Sequence, residues 1–302
     1  MSIDWVSKIR DGIEINRLAI PGTHDAASWT HDDDLDWPPF TWAQRLNFLQ
    51  QLNIGIRVLD LRIGWKSSWG RELTMFHGPA AVNDQNLDEV LADVRWWLDR
   101  NSNEFVILMF QQQGYPHIPG DCAPEVKDLI EKRFGSFGSP RFFYFTRKRQ
   151  TWPTVGELRG RVLVMERLAS RVKGFCDISA WQAAGATAGS LIDVGEHLHI
   201  YLQDKYCNIS SKYLSRDDDN AKKIALVKAA AMHVPDVPSY TCLRVNHTSY
   251  SNKRYQPWTS GEGVNQLLRN SRFKIQGILM IDDADQATVK HILRSNPAFM
   301  KQ

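Results

Sequence analysis

The stretch RLAIPGTHDAASW, residues 17–29, decides the fold. An apolar run, Leu18-Ala19-Ile20, meets Pro21-Gly22, where a strand is expected to stop, and a His-Asp pair, His24 and Asp25, follows on the loop. Barrel enzymes hand titratable side chains to the loops at the C-terminal ends of their strands in this way. Working outward, short apolar runs recur along the chain. Strands are expected at Leu18–Ile20, Arg57–Ile63, Leu73–Phe76, Phe105–Phe110, Arg161–Glu166, His199–Leu202, Thr241–Val245 and Ile275–Ile281.

Helical patterns lie between several of them. In NLDEVLADVRWWLDRN, Leu87, Val90, Leu91, Val94, Trp97 and Leu98 recur on one face, with Asn86 or Asp84 as cap and Asp88 and Glu89 suiting the positive end. FTWAQRLNFLQQLNIG reads as an earlier helix closed at Gly55, and SGEGVNQLLRNS as a late one. The alternation implies an α/β fold, a (β/α) barrel of the TIM type. Uneven loop lengths make it irregular, with some helices short or missing. No repeat or flexible linker divides the chain, so residues 1–302 are expected to form a single barrel domain.

Composition excludes several classes. A net charge of +3, with no basic stripe beyond Arg147-Lys148-Arg149, gives no case for nucleic acid. Cys122, Cys176, Cys207 and Cys242 lack C-x-x-C spacing, which argues against structural zinc or a disulfide framework and for free thiols. No apolar run approaches the roughly 20 residues that span a bilayer. The opening MSIDWVSKIRDG has no signal-peptide core, so a cytoplasmic location or a non-Sec export route is expected.

The strand ends carry the chemistry. In GIRVLDLRIG the period of two puts Asp60 and Arg62 on one face. LTMFHGP ends in His77, and GILMIDDAD ends in Asp282 and Asp283. Two histidines, each with a carboxylate, and an arginine to hold an anion suit phosphoryl transfer from a neighbouring hydroxyl. One imidazole takes the hydroxyl proton and the other protonates the leaving oxygen.

PGTHDA, GIRVLDLR and MFHGP, with the amphipathic helix that follows, resemble the X-domain of phosphatidylinositol-specific phospholipases C, of the small bacterial type. LRGRVLVMERL, YLQDKY, RVNHTSY and GILMIDDADQATVKHILRSN extend the resemblance over nearly the whole chain. The resemblance implies cleavage of phosphatidylinositol to diacylglycerol and inositol 1,2-cyclic phosphate. It implies His24 as base with Asp282 behind it, His77 as acid with Asp25, and Arg62 on the phosphate. Arg167, Asp204 and Tyr206 would hold the inositol ring, and Asp60 would support Arg62. The partner would be phosphatidylinositol in a membrane, met by a monomer.

Two departures bear on substrate. Gln111 and Gln112 stand where the bacterial type has lysine, which disfavours extra phosphates on the ring; Asp283 stands where an aromatic residue is usual. The eukaryotic branch holds calcium with an asparagine after the first histidine and with later acidic residues. Here Asp25 follows His24, Arg62 takes one ligand position and Gln111 another. Calcium wants several hard oxygens, so no cofactor is expected, although Asp25 and Asp60 are ligand types that suit it. A glycerophosphodiester phosphodiesterase would need a Glu-x-Asp metal pair where Asp60-Leu61-Arg62 stands, and a catalytically inactive lipid-binding barrel would not need the intact set.

Trp37, Phe40 and Trp42 in DWPPFTW, and Tyr255 and Trp258 in KRYQPW, are either rim residues for a membrane interface or packing under the loops. RFFYFTRKRQTW reads as an interfacial patch or a buried strand. His31 to Asp34 read as a solvated loop.

Overall fold

A computed structural model describes residues 3–29, 41–67, 72–114, 118, 120–207, 215–251 and 257–296 of the 302. The strands are β1 (Ala19–Thr23), β2 (Val58–Trp65), β3 (Leu73–His77), β4 (Ala80–Asn86), β5 (Val106–Gln112), β6 (Phe142–Phe143), β7 (Val162–Arg167), β8 (Cys176–Asp177), β9 (Ser190–Asp193), β10 (His199–Gln203), β11 (Cys242–His247) and β12 (Gly277–Ile281). The helices are α1 (Phe48–Asn53), α2 (Leu87–Arg100), α3 (Ala123–Phe134), α4 (Val155–Leu158), α5 (Ala180–Ala184), α6 (Arg216–Met232), α7 (Pro257–Arg269) and α8 (Gln286–Leu293).

The strands order as β6-β7-β5-β2-β1-β12-β11-β10-β9 and pair in parallel from β6 to β10. This is an irregular TIM-type barrel. Its ladder stays open, among the described residues, between the β6/β8 edge and the antiparallel β9. Helices α1, α4 and α5 are short, at six, four and five residues.

The alternation of strand side chains divides the core into two clusters. Ile20, Val58, Ile107, Leu163, Ile200, Leu202, Val245 and Ile278 fill the barrel, and Trp5, Val6, Ile9 and Trp152 join them. Leu59, Leu61, Leu108, Phe110, Val164 and Leu279 face outward onto the helix layer, where α2 contributes the stripe read from its sequence. Asn86 caps α2 in a reciprocal box with Glu89. Gly22 is required where it stands, since a Cβ there would lie 2.5 Å from the Met280 sulfur and 2.8 Å from Val58 Cβ.

Two expectations need correction. The first strand does not stop at Pro21-Gly22 but continues to Thr23. Pairing with β2 begins only at Gly22, so the proline, which has no N–H, sits where that ladder has not yet formed, and its carbonyl accepts from Arg57 N–H. The run ending in His77 is not a barrel strand: β3 pairs antiparallel with Ile63 to Trp65 of β2 and turns back into β4. The parallel barrel includes instead β6, inside the stretch that reads as either a patch or a strand; Phe142 and Phe143 are buried. The four cysteines are free, three of them buried.

Candidate active site

Strand register builds the site layer by layer. Asp60 lies level with Met109 and Met165 on the barrel's inner face; two residues on, Arg62 lies level with Gln111 and Arg167. One residue beyond β1, His24 donates its backbone N–H to Ile281 O and so stands beside Asp282. His24, Arg62, His77, Arg167, Asp204, Tyr206 and Asp282 all line one cavity of about 460 Å³, and Asp25 and Asp60 are buried beside it. The structure thus brings together every residue singled out from the strand ends, apart from Asp283.

The contacts run as a chain. His24 Nδ1 lies 2.8 Å from Asp282 Oδ1, and His24 Nε2 contacts Arg62 Nη2. Arg62 Nε donates to Asp60 Oδ2 at 3.2 Å, and Nη1 lies 3.6 Å from Asp25 Oδ2. Asp25 Oδ2 in turn lies 3.2 Å from His77 Nδ1. His77 Nδ1–H also donates to the Thr41 carbonyl at 2.7 Å, a closer partner than the carboxylate. Both contacts hold the proton on Nδ1 and leave Nε2 for the cavity. Asp25 reaches this position through a left-handed turn, φ +45°, and gives its own N–H to Asp60 Oδ2. Non-glycine residues rarely adopt that conformation, and such strain concentrates at functional sites.

Burial and neighbouring charge set the proton balance. Burial, reinforced by Arg62, pushes His24 down to about 3, so the imidazole is neutral at ordinary pH. Burial also raises Asp282, whose Oδ1 accepts from His24 Nδ1. Burial alone would raise Asp60, but Arg62 and Arg167 more than reverse it and keep the carboxylate ionised. Arg62 answers its own burial with Asp25 and Asp60, which hold it charged.

The far wall is built from the last residue of β7, from α5 and from the residues that follow β10. Trp181 Nε1–H donates to Asp204 Oδ2 at 2.9 Å, and the Arg167 guanidinium lies 4.4 Å from the same indole. Tyr206 stands at the mouth, 46% exposed. Trp181 lies in no strand and carries no pattern of its own. His247 packs edge-on against both His24 and Trp181, with ring centroids 5.8 Å and 5.3 Å away. It follows Val245 by two residues at the end of β11, so strand alternation marks it as the inward-facing last residue.

The paired glutamines separate. Gln111 faces the cavity, and Gln113 joins it while accepting from Gly78 N–H. Gln112 points away, donating to Gly120 O and accepting from Cys122 N–H. Asp283 lies outside the cavity lining and pairs with Arg45 at 2.5 Å. Trp42 is half-buried; Trp37, Phe40, Tyr255, the Trp258 side chain and His31 to Asp34 lie outside the described residues. Among the described residues no group of three or more His, Cys, Asp or Glu is arranged to hold a metal ion.

Comparison with known proteins agrees with this geometry. Residues 18–168 match the family model for the phosphatidylinositol-specific phospholipase C X domain. The 1-phosphatidylinositol phosphodiesterase of Listeria monocytogenes is 25% identical over 97% of this chain and 84% of its own length. The Staphylococcus aureus enzyme of the same name is 27% identical over 67% of this chain and 64% of its own. Solved phosphatidylinositol-specific phospholipases C from S. aureus and L. monocytogenes superpose with TM-scores of 0.74 and 0.67, at 18% and 22% identity. The first covers 96% of both chains and the second 97% of both; at that identity they establish the barrel. The chain belongs to the phosphatidylinositol-specific phospholipase C X-domain family.

Proposed function

We propose that this protein is a phosphatidylinositol-specific phospholipase C that releases diacylglycerol and inositol 1,2-cyclic phosphate without a metal ion. The observation that carries it is the unbroken run Asp282–His24–Arg62–Asp25–His77 along one cavity wall. A phosphodiester anion lodged on Arg62 engages the guanidinium that otherwise meets His24, and His24 Nε2 is then free to accept the proton of the inositol 2-hydroxyl. That oxygen bonds to phosphorus, the bond to the diacylglycerol oxygen breaks, and His77 supplies the proton that oxygen needs. Arg62 offsets the charge that builds on the phosphoryl oxygens between these events. Asp25 and Asp60 hold the guanidinium between them, which fills the place a cation would take between two carboxylates.

Asp204, Arg167 and Tyr206 form the ring-binding wall in this reading. Gln111 and Gln113 line the cavity as neutral amides rather than cations. An unphosphorylated inositol fits that lining best, because a neutral amide leaves a ring phosphate without a counter-charge. Among the described residues no helix is long and apolar enough to cross a membrane. Tyr206, exposed at the mouth, is placed to meet the bilayer, and the aromatic composition of 37–42 and 255–258 suits the same interface.

Phosphorus NMR of phosphatidylinositol vesicles, run with and without EDTA, tests the proposal. A cyclic phosphate resonance that grows equally in both samples is expected. Loss of turnover in EDTA would return the metal-dependent phosphodiesterase; vesicle binding without any phosphorus product would leave a lipid-binding barrel.

A further inference from the structure

Behind the ring-binding wall lies a buried polar network that the proposed chemistry does not use. The pleat of β10 turns Leu202 and Asp204 into the barrel and sends Gln203 outward beneath α6, where an apolar residue is the ordinary filling. Gln203 is fully buried, and so is the residue that meets it, Lys223. Lys223 Nζ donates to Gln203 Oε1 at 3.1 Å and to the Lys205 carbonyl at 2.8 Å. Gln203 Oε1 also accepts from Lys205 N–H at 2.8 Å. The other end of the same amide donates to Asn246 Oδ1 at 2.6 Å and to the His247 carbonyl at 2.8 Å. Asn246 Nδ2 in turn donates to Val227 O, one turn further along α6.

The amide of Gln203 therefore has both its donor positions and both its acceptor positions filled. The helix grips the ends of β10 and β11 at two points a turn apart. Burying a lysine is expensive, and burial pushes Lys223 down to about 7 against the pull of Asp204 and Asp282. A hydrophobic side chain would close the gap between sheet and helix at less cost. The lysine instead bonds the two residues that bracket Asp204, Gln203 by its side chain and Lys205 by its carbonyl.

We propose that Lys223 is a positioning residue for Asp204: it fixes the chain on either side of that carboxylate and so sets the geometry of ring binding. The proposal rests on the reading of Asp204 as a ring-binding group. Its consequence is felt in substrate affinity rather than in the bond-breaking step.

Steady-state kinetics on a soluble chromogenic probe, 4-nitrophenyl inositol-1-phosphate, separate the cases. Lys223→Met is compared with Asp204→Asn and with the double variant, each with a thermal melt. Lys223→Met is expected to raise KM about tenfold, as misplaced binding groups do, and to leave kcat within about twofold. The double variant is expected to bind no worse than Asp204→Asn alone, because the two changes disable one unit. A KM within about twofold of wild type, whatever the melt shows, would reduce the network to a structural seal. If Asp204→Asn leaves KM unchanged, the ring-binding reading fails by itself; a raised KM in Lys223→Met alongside it would show an action not routed through Asp204 and would overturn the proposal too. Should Lys223→Met not fold, Lys223→Gln, which keeps an amide donor at shorter reach, carries the same comparison.

Discussion

Two arginines on β2 or its threshold, Arg57 and Arg62, stand at opposite ends of the same barrel. Arg57 Nε and Nη2 donate to Glu104 Oε2, Nη1 to the carbonyls of Leu52 and Ile56, and Nη2 also to Ile3 O. Every N–H direction of that guanidinium ends on protein, and Glu104 completes the knot by accepting from Val6 and Ser7 N–H. Arg62 is also enclosed by carboxylates, yet it makes one hydrogen bond to Asp60, contacts His24, and opens onto the cavity. The lesson is that burial and ion pairing do not mark function; unspent donors facing a cavity do. The same division separates the stabilising base of a barrel from its working mouth.

Changes at the mouth should strike activity, and changes at the base should strike stability. The largest effect is expected for His24→Ala and His77→Ala, each lowering turnover of phosphatidylinositol about 10³-fold, measured as cyclic phosphate release. Arg62→Met follows, with a loss of about 10²-fold in kcat. The same variant sharpens the comparison through pH. A base held near 3 stays unprotonated as pH falls through 6, so the acid limb of kcat/KM on a soluble substrate should lie well below pH 6. Removing the Arg62 charge relieves part of that depression and should move the limb upward.

At the base, Glu104→Gln leaves Arg57 buried without its counter-charge and should cost about 3 kcal/mol in urea unfolding. The kcat of the folded fraction should not change. A large kcat loss there would break the contrast. The smallest effect is expected at the rim: Asp283→Asn releases the half-exposed Arg45 and should cost under about 1 kcal/mol, with activity retained.

The catalytic end of the molecule is legible because its residues terminate apolar strands with a period of two. Arg62 follows from alternation, His24 and Asp282 from their place at the ends of apolar runs, and His247 obeys the alternation rule. Elements whose inner faces are polar are not legible. Helix α6 turns Asp219, Asn220 and Lys223 inward, so no apolar stripe announces its 17 residues. The β3 run looks like a barrel strand because a short apolar segment reads the same whichever way it pairs. Strand β6 has only two residues, and Trp181 comes from the five-residue helix α5, brought in by tertiary packing.

The division of labour between the two imidazoles is tested most directly by changing the leaving group. On phosphatidylinositol, whose alkoxide needs a proton, His24→Ala and His77→Ala should be comparably inactive. On an inositol phosphodiester with a 4-nitrophenol leaving group, which departs without one, His77→Ala should recover most of the wild-type rate while His24→Ala stays inactive. Equal rescue of both variants, or of neither, would contradict the assignment of base and acid.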